Sequence, residues 1–276
     1  MKKFSMYIML GILLTACSAE DTLSPVVNVY VPLTFSASQS PASRAVDDKW
    51  ELGDAIGVSI VNVDSSCLDA QNRKYVNGSA TGNEFLAADK NQQAYLKVGT
   101  NYHVFAYYPC TDNIITLVDG KECVKIDLSN QSDPSKIDLM TAQSSLKAGQ
   151  NNSNVQLQFT HVLKKLVINI SAGTNLTPDD LIGLKVEILN QNRYALLPLT
   201  GTEVEDVREY DTNIQMKTNA EGTMAEAIVH RCQMHIINLL FTLKSGKTFK
   251  GQMFFPGIRD NTDAGYKYIY NIKINN

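Results

Sequence analysis

The residue types that bind metals or carry catalysis are sparse in this 276-residue chain. The four histidines are His103, His161, His230 and His235. His230 and Cys232 would share one face of a strand and His235 would lie on the other, which is poor geometry for a three-ligand zinc site. His161 is in phase with the apolar Phe159, so we interpret it as a partly buried structural histidine rather than a base.

The sequence also lacks the short motifs that accompany common enzymatic chemistry. It contains no GxSxG, P-loop, HExxH or GxGxxG pattern. The acidic run at residues 203–209 is most simply the solvated face of a loop. Carboxylates from distant parts of the chain could still meet in a β protein, and that alternative stays open. We expect no catalytic residue, no metal site and no cofactor, and we expect that the protein is not an enzyme.

One cysteine, Cys17, lies at the end of an N-terminal segment with the features of an export signal, where its thiol is a candidate for covalent modification. Two lysines precede a largely apolar run at residues 4–14, and two small residues come directly before Cys17. This order is typical of a secretory signal, because a spanning helix needs roughly 20 apolar residues. Residues 13–17 resemble a bacterial lipobox, which implies that Cys17 is lipidated. An ordinary signal peptide with an incidental cysteine is the alternative.

The lipobox divides the N-terminal region into a signal peptide at residues 1–16 and a lipidated tether at residues 17–25. Each buried methylene contributes about 0.8 kcal/mol and one acyl chain holds only marginally, so two or three chains make a stable anchor. Glu20 and Asp21 resemble an acidic tag that exports some lipoproteins to the cell surface. We therefore expect anchoring in the outer membrane through the lipid, with display at the cell surface.

Composition limits the remaining function classes. The formal net charge is −3, with 25 basic and 28 acidic residues, and no Lys/Arg cluster is present. Nucleic acid would require a basic face, so it is not expected as a partner. Beyond the leader, no apolar run is long enough to span a bilayer. Hydrophobic residues make up 44% of the chain, which suits a globular protein with a substantial core.

Four cysteines remain after the lipobox: Cys67, Cys110, Cys123 and Cys232. An exported chain can form disulfides, and four cysteines allow three connectivities. Cys110 and Cys123 flank a predicted loop and are the preferred pair. Free thiols buried as small apolar residues are favoured over any disulfide.

The first element after the tether is a predicted strand with one buried face. Its inward residues alternate with outward ones in period two, and they are Val27, Val29, Val31, Leu33 and Phe35. Pro32 cannot donate to a strand ladder, so we place this strand at a sheet edge. A polar segment at residues 36–43 follows and ends at Arg44 and Ala45.

Further short strands follow along the chain. They are predicted at residues 55–63, 102–109, 124–128, 184–189, 214–218, 225–230, 236–243, 249–255 and 266–274. Residues 64–92 are rich in Gly, Asn, Ser and Asp and are expected to be mostly loop. A single helical turn is expected after Thr177, an N-cap followed by proline and acidic residues. Many short strands separated by turn signals predict an all-β protein.

The apolar phase changes within residues 155–170. Val155, Leu157 and Phe159 share one phase, whereas Leu166 and Ile168 have the opposite one. Because a one-residue slip moves side chains to the other face, we expect a bulge or a change of core near residues 164–165. We interpret the chain as two β-sandwich domains, at residues 26–150 and 151–276, separated at the polar linker 149–154.

Several short segments, in order, resemble the fimbrillin-like surface lipoproteins of Gram-negative gut and oral anaerobes. Besides the lipobox they are Ser-Arg-Ala at 43–45, Trp50 with Gly53-Asp54 and Ile-Gly-Val at 56–58, Tyr-Tyr-Pro at 107–109, Asp-Leu-Met at 138–140 with Ala142, Phe-Thr-His-Val-Leu-Lys-Lys at 159–165, and Gly-Tyr-Lys-Tyr at 265–268. Each is weak alone, but together they span nearly the whole chain.

The resemblance implies two tandem transthyretin-like β-sandwiches and assembly with other fimbrial subunits into surface fimbriae. In that family a trypsin-like protease cuts after an arginine near the N-terminus and releases the first strand, and another subunit's strand takes its place. Arg44 and Ala45 match that processing site, and the strand that carries Val27 to Phe35 matches the exchanged strand. A host or bacterial surface ligand would be the target of adhesion.

Stalk subunits of that family continue past the Tyr-rich strand into a donor strand, whereas this sequence ends at Asn276. We therefore expect a tip, accessory or anchor-type subunit. The alternative is a surface glycan-binding lipoprotein of a nutrient-uptake system, which would usually offer an aromatic platform. Trp50 is the single tryptophan and sits in the family motif, while the twelve tyrosines remain candidates for such a platform.

Overall fold

The computed structural model describes residues 28–40, 49–79, 82–149, 154–205, 210–230, 236–254 and 265–275. These residues form twenty strands and two short 3-10 helices around two hydrophobic cores. The predicted all-β class is confirmed. No helix in these ranges has the length and apolar character needed to cross a membrane. Cys17, Val27, Arg44 and Ala45 lie outside the described ranges.

The first unit, for which the sequence predicts a β-sandwich, has its strands paired into a closed barrel. Its strands are β1 (Tyr30–Pro32), β2 (Thr34–Gln39), β3 (Ala55–Asn62), β4 (Cys67–Asn77), β5 (Glu84–Ala87), β6 (Tyr95–Lys97), β7 (Asn101–Tyr108), β10 (Met140–Lys147) and β11 (Asn154–His161). Hydrogen bonding runs in the order β10-β11-β2-β5-β4-β3-β7 and returns to β10, while β1 pairs separately with β6. The β2–β11 pair is parallel and its neighbours in the barrel are antiparallel.

Two strands of this barrel lie where the sequence predicts mostly loop, so that prediction is wrong for residues 67–77 and 84–87. β4 consists largely of polar residues. Only Ala70, Tyr75 and Asn77 of its eleven residues are buried. Pairing with both β3 and β5 makes it a strand despite this composition. Leu68 and Val76 are also apolar, but of the large apolar side chains in this strand only Tyr75 is buried.

The second unit is a sandwich of two four-stranded sheets. The strands are β12 (Lys164–Ala172), β13 (Lys185–Asn192), β15 (Tyr210–Gln215), β16 (Lys217–Thr218), β17 (Met224–Val229), β18 (Ile236–Thr242), β19 (Thr248–Phe254) and β20 (Lys267–Ile274). One sheet has the order β16-β17-β12-β20 and the other β15-β13-β18-β19. The predicted helical turn is a 3-10 helix, Pro178–Leu181, whose capping box joins Thr177 and Asp180.

The predicted change of core is confirmed between β11 and β12. Val155, Leu157 and Phe159 pack in the first core, whereas Leu163, Leu166 and Ile168 pack in the second. The chain therefore crosses at residues 162–163, beyond the expected boundary after residue 150. That boundary needs correction, because β11 pairs with β2 and β10 of the barrel.

A second departure from the expected domains joins the two halves of the chain. β8 (Ile114–Thr116) and β9 (Glu122–Asp127) come from the first half, but β9 pairs with β14 (Tyr194–Pro198) from the second. Val124, Ile126 and Leu128 lie in the second core, as do residues that follow the other 3-10 helix, Pro134–Lys136. The two units are consequently interlaced in sequence rather than strictly consecutive.

Candidate subunit-assembly groove

The N-terminal strand lies inside the barrel wall between β11 and β5. β2 runs parallel to β11 over six register pairs, from Thr34 opposite Asn154 to Gln39 opposite Phe159. On its other side, β2 pairs antiparallel with β5 at Phe35 and Ser36. Three further backbone bonds join Leu33 N to Ala94 O (3.0 Å), Ala37 N to Asn83 O (2.8 Å) and Ser40 N to Phe159 O (2.8 Å). β2 is therefore an integral strand of the closed barrel.

The inward face of this strand has the predicted phase but covers a different range of residues. Val31, Leu33 and Phe35 are buried as predicted, and Ala37 extends the same face with no exposed surface. Val29, predicted to point inward, is 39% exposed, and this assignment is corrected. The reason is that Val29 precedes β1, where the chain lies outside the barrel wall and its carbonyl accepts a bond from Val98 N. Pro32 is exposed in the two-stranded β1–β6 sheet, but the predicted edge position is wrong for β2, which is paired on both sides.

Side chains from other parts of the barrel bind the backbone of this strand. The Gln93 amide donates to Leu33 O at 2.9 Å, and the Trp50 indole Nε1 donates to Ala37 O at 2.8 Å. Asn154 bonds both Ser36 Oγ and Thr34 Oγ1. These contacts recognise an extended main chain and two outward hydroxyl groups rather than a charged group.

Aromatic rings form the wall of the groove that the strand fills. The Phe35 ring meets Tyr75 edge-on at 4.7 Å between centroids. Trp50 contacts Phe85, Tyr108 and Phe159 edge-on at 5.1–5.3 Å, a favourable geometry for aromatic pairs. Because Trp50 is buried, it does not provide an exposed platform for a sugar.

The strand is joined to the barrel through one covalent connection. β2 ends at Gln39, and the next described residues are Lys49 and Trp50. Residues 41–48 between them contain Arg44. A single cut in this segment would separate β1 and β2 from the rest of the chain. Their loss would leave unpaired edges on β5 and β11 and an apolar groove between them.

The described histidines contact neighbouring groups without forming a catalytic or metal cluster. His161 Nδ1 lies 3.2 Å from Asp138 Oδ1, and both side chains are mostly buried. His103 Nδ1 lies 2.7 Å from Ser145 Oγ, and His230 Nε2 lies 3.2 Å from the Glu205 carbonyl. No group of three or more His, Cys, Asp or Glu in the described ranges is placed to bind a metal. Cys232 and His235 lie outside those ranges.

The three described thiols, Cys67, Cys110 and Cys123, are free. Burial raises the pKa of Cys123 to about 11, and burial also raises the pKa of Cys110. Both thiols are therefore protonated at neutral pH. Cys123 is a small buried core residue, Cys110 is half-buried, and Cys67 is exposed, so the expectation of buried thiols holds for Cys123.

Two clefts lie elsewhere on the described surface. One of about 170 Å³ lies beside the end of β11, where Tyr108 donates to Asp54 Oδ1 at 3.0 Å and His161 faces Asp138. A more open one of about 520 Å³ forms where β13 diverges from β18, near Asn190 and Asn238. Ser135 and His161 both line the first cleft, and the Ser135 hydroxyl donates to Asp133 Oδ1 at 2.6 Å.

Two strand-rich units, an inserted N-terminal strand and an aromatic groove together define a structural all-β protein. The chain belongs to the fimbrillin-like family, whose model matches residues 43–276. It is 33% identical over 274 residues to the proposed fimbrium subunit Fim1C of Bacteroides uniformis, covering 95% of this chain and 87% of that protein. The family and its relatives are structural, so the chain is not an enzyme.

Solved structures show the same architecture. The crystal structure of a proposed cell adhesion protein from Bacteroides uniformis has a TM-score of 0.68 and 32% identity, covering 89% of this chain and 93% of that one. A second proposed cell adhesion protein, from Bacteroides ovatus, has a TM-score of 0.67 over 90% and 93% of the two chains. Its 20% identity supports the fold alone.

Proposed function

We propose that this protein is a lipid-anchored fimbrial subunit of tip or accessory type that contributes to adhesion at the cell surface. In this scheme Cys17 holds it in the outer membrane, and cleavage between Arg44 and Ala45 releases the N-terminal strand. A strand from another fimbrial subunit then fills the groove. The observation that carries the proposal is that β2, which precedes Arg44, is paired on both sides within a closed barrel.

The free energy gained by burying the apolar side chains of β2 favours a groove filled by another strand over an empty groove. Val31, Leu33 and Phe35 are buried, and such side chains contribute about 1.5–3 kcal/mol each on burial. Their sum is comparable with the whole stability of a domain, about 5–15 kcal/mol, although area-based values are upper bounds. A barrel that has lost this strand exposes apolar surface and two edges, which is a state that binds another strand.

The pairing of the last strand supports an accepting rather than a donating role. All eight residues of β20, from Lys267 to Ile274, are in register with β12 in the second unit. Donating β20 to a neighbour would remove an edge strand from its own sandwich and expose Ile274, which is buried. An accepting subunit of this kind fits the tip or accessory position.

Limited trypsin digestion of the anchor-free protein tests this function. We expect preferred cleavage after Arg44, release of the preceding fragment under mild denaturant, and binding of a labelled peptide with the sequence of residues 28–40 only after release. Arg44→Gln is the matched control and should keep the groove closed. Equal peptide binding by the intact protein, or resistance of Arg44 while other sites are cut, would contradict the proposal.

A further inference from the structure

We propose that the groove selects its incoming strand by size at one position, and that Trp50 is the residue that sets the limit. The groove has four inward sites, occupied by Val31, Leu33, Phe35 and Ala37. The fourth site takes only a small side chain. This inference rests on the proposed function, because it concerns the strand of another subunit that would replace β1 and β2.

The first three sites accept large side chains. Val31 and Leu33 fill the end of the groove beside β6, and neither has more than 8% of its surface exposed. The third site holds an aromatic ring, because Phe35 is fully buried and meets the edge of Tyr75 at 4.7 Å. The Tyr75 hydroxyl is itself held by the Ala94 N–H at 2.9 Å, so this wall has a defined position.

The fourth site is closed by an indole that cannot easily move. Trp50 Nε1 donates to Ala37 O at 2.8 Å, which places the ring against the strand at this residue. Phe85, Tyr108 and Phe159 surround the same indole at centroid distances of 5.1–5.3 Å. Ala37 has no exposed surface and lies in the same core as Trp50, Phe85 and Phe159, so a longer side chain would have to displace core neighbours. Overpacking of a close-packed core is destabilising.

The backbone hydrogen bonds of the strand also restrict where the incoming strand can contain proline. The N–H groups of Leu33 and Ala37 donate to Ala94 O and Asn83 O, so proline is excluded at the second and fourth inward sites. Pro32 occupies the outward position between the first two inward sites without disturbing the strand. These contacts would apply to any chain that runs parallel to β11 in the same register.

The partner is therefore an extended segment of another polypeptide with four alternate inward residues. In chain order these are aliphatic, aliphatic, aromatic and small, with glycine or alanine at the last site. We align this pattern on the protein's own strand β2, which occupies the groove and pairs with β11 from Thr34 to Gln39.

Peptide binding to the Arg44-cleaved, strand-released protein tests the size limit. The reference peptide has the sequence of residues 28–40, and the test peptide carries Ala37→Leu. A third peptide carries Ser38→Leu, which adds the same side chain at an exposed position. We expect the Ala37→Leu peptide to bind about tenfold more weakly or worse, and the Ser38→Leu peptide to bind like the reference.

The reciprocal change is made in the protein. Trp50→Ala should restore binding of the Ala37→Leu peptide relative to the reference peptide, and Trp50→Phe should restore it in part. Equal binding of the Ala37→Leu and reference peptides to the wild-type protein would overturn the size limit while leaving strand exchange intact. Failure of all three peptides to bind the strand-released protein would contradict strand exchange itself, and the size limit with it.

Discussion

Single residues in this protein act mainly through packing and hydrogen bonding. Trp50 connects the inserted strand to three aromatic rings, and its indole satisfies a main-chain carbonyl. At the crossing between the cores, Lys165 is buried but lies 2.7 Å from Glu226 Oε2, so its charge is paired. The exception is Cys17, for which we propose covalent chemistry with lipid.

Replacement of Cys17 tests the anchor. If the thiol is acylated, radiolabelled palmitate should enter the wild-type protein and Cys17→Ser should take up none. Cys67→Ser is the control, because Cys67 is an exposed free thiol far along the chain from the leader. Equal labelling of the wild type and Cys17→Ser would exclude lipidation at this residue.

Truncation of Phe35 tests whether the inserted strand contributes to the stability of the first unit. Phe35→Ala should destabilise it by about 3–5 kcal/mol, because the ring is fully buried. Ser38→Ala on the exposed face of the same strand should change stability by less than about 0.5 kcal/mol. The fluorescence of Trp50, the single tryptophan, during urea unfolding reports on this core. Equal midpoints for the two variants would mean that the strand adds little.

Among the elements, β3 and β7 are joined by an antiparallel pairing in which the Tyr107 ring packs directly over Gly57. Gly57 of β3 is opposite Tyr107 of β7, and a Cβ at Gly57 would overlap the Tyr107 ring and lie 2.7 Å from Asn72 Oδ1. The Tyr107 hydroxyl donates to Asn72 Oδ1 at 2.6 Å and accepts from Thr111 N at 3.2 Å. Tyr107 also packs in the second core, so this contact links the barrel to the sandwich.

Substitution of Gly57 should therefore weaken both the barrel and its junction with the second unit. Gly57→Ala should cost about 1–3 kcal/mol, the usual cost of overpacking, or more where backbone must shift. Gly78→Ala is the matched control, because nothing lies within 4 Å of the added Cβ there. Thermal melts followed by circular dichroism measure the difference. A Gly57→Ala melting temperature equal to that of Gly78→Ala would show that Tyr107 can move aside.

At the scale of the whole molecule, the two units share segments of chain. β9 from the first half pairs with β14 from the second, and β11 returns the chain to the barrel before it crosses. The N-terminal strand, by contrast, can be separated by a cut in residues 41–48. We propose that the molecule combines this interlaced body with an N-terminal strand that a protease releases.

Surface display is tested on intact cells. The acidic residues Glu20 and Asp21 beside the proposed anchor lead us to expect that added proteinase degrades the protein without lysis. A periplasmic marker must survive the same treatment. Complete protection of the protein until lysis would confine it to the periplasm and would contradict a fimbrial location.

The inserted strand shows how far its site could be predicted. Alternation of apolar residues identified Val31, Leu33 and Phe35 as inward because period two is a local property of a strand. It also assigned Val29 inward, since nothing local marks where the chain leaves the barrel wall. The contribution of Ala37 was missed because alanine is a weak signal until the indole of Trp50 is seen to lie beside it.

Local pattern by itself determined the all-β class, the helical turn at Pro178 and the two strands β18 and β19. It also predicted a change of core near residues 164–165, which the structure shows at residues 162–163. These features depend on alternation, capping and turn residues, which act over a few positions. Tertiary structure alone decided that β4 is a strand, that β9 packs on the second core and that β2 closes the barrel beside β11. Each of these features depends on a pairing or packing partner that is distant in sequence. The local sequence of a strand does not identify that partner.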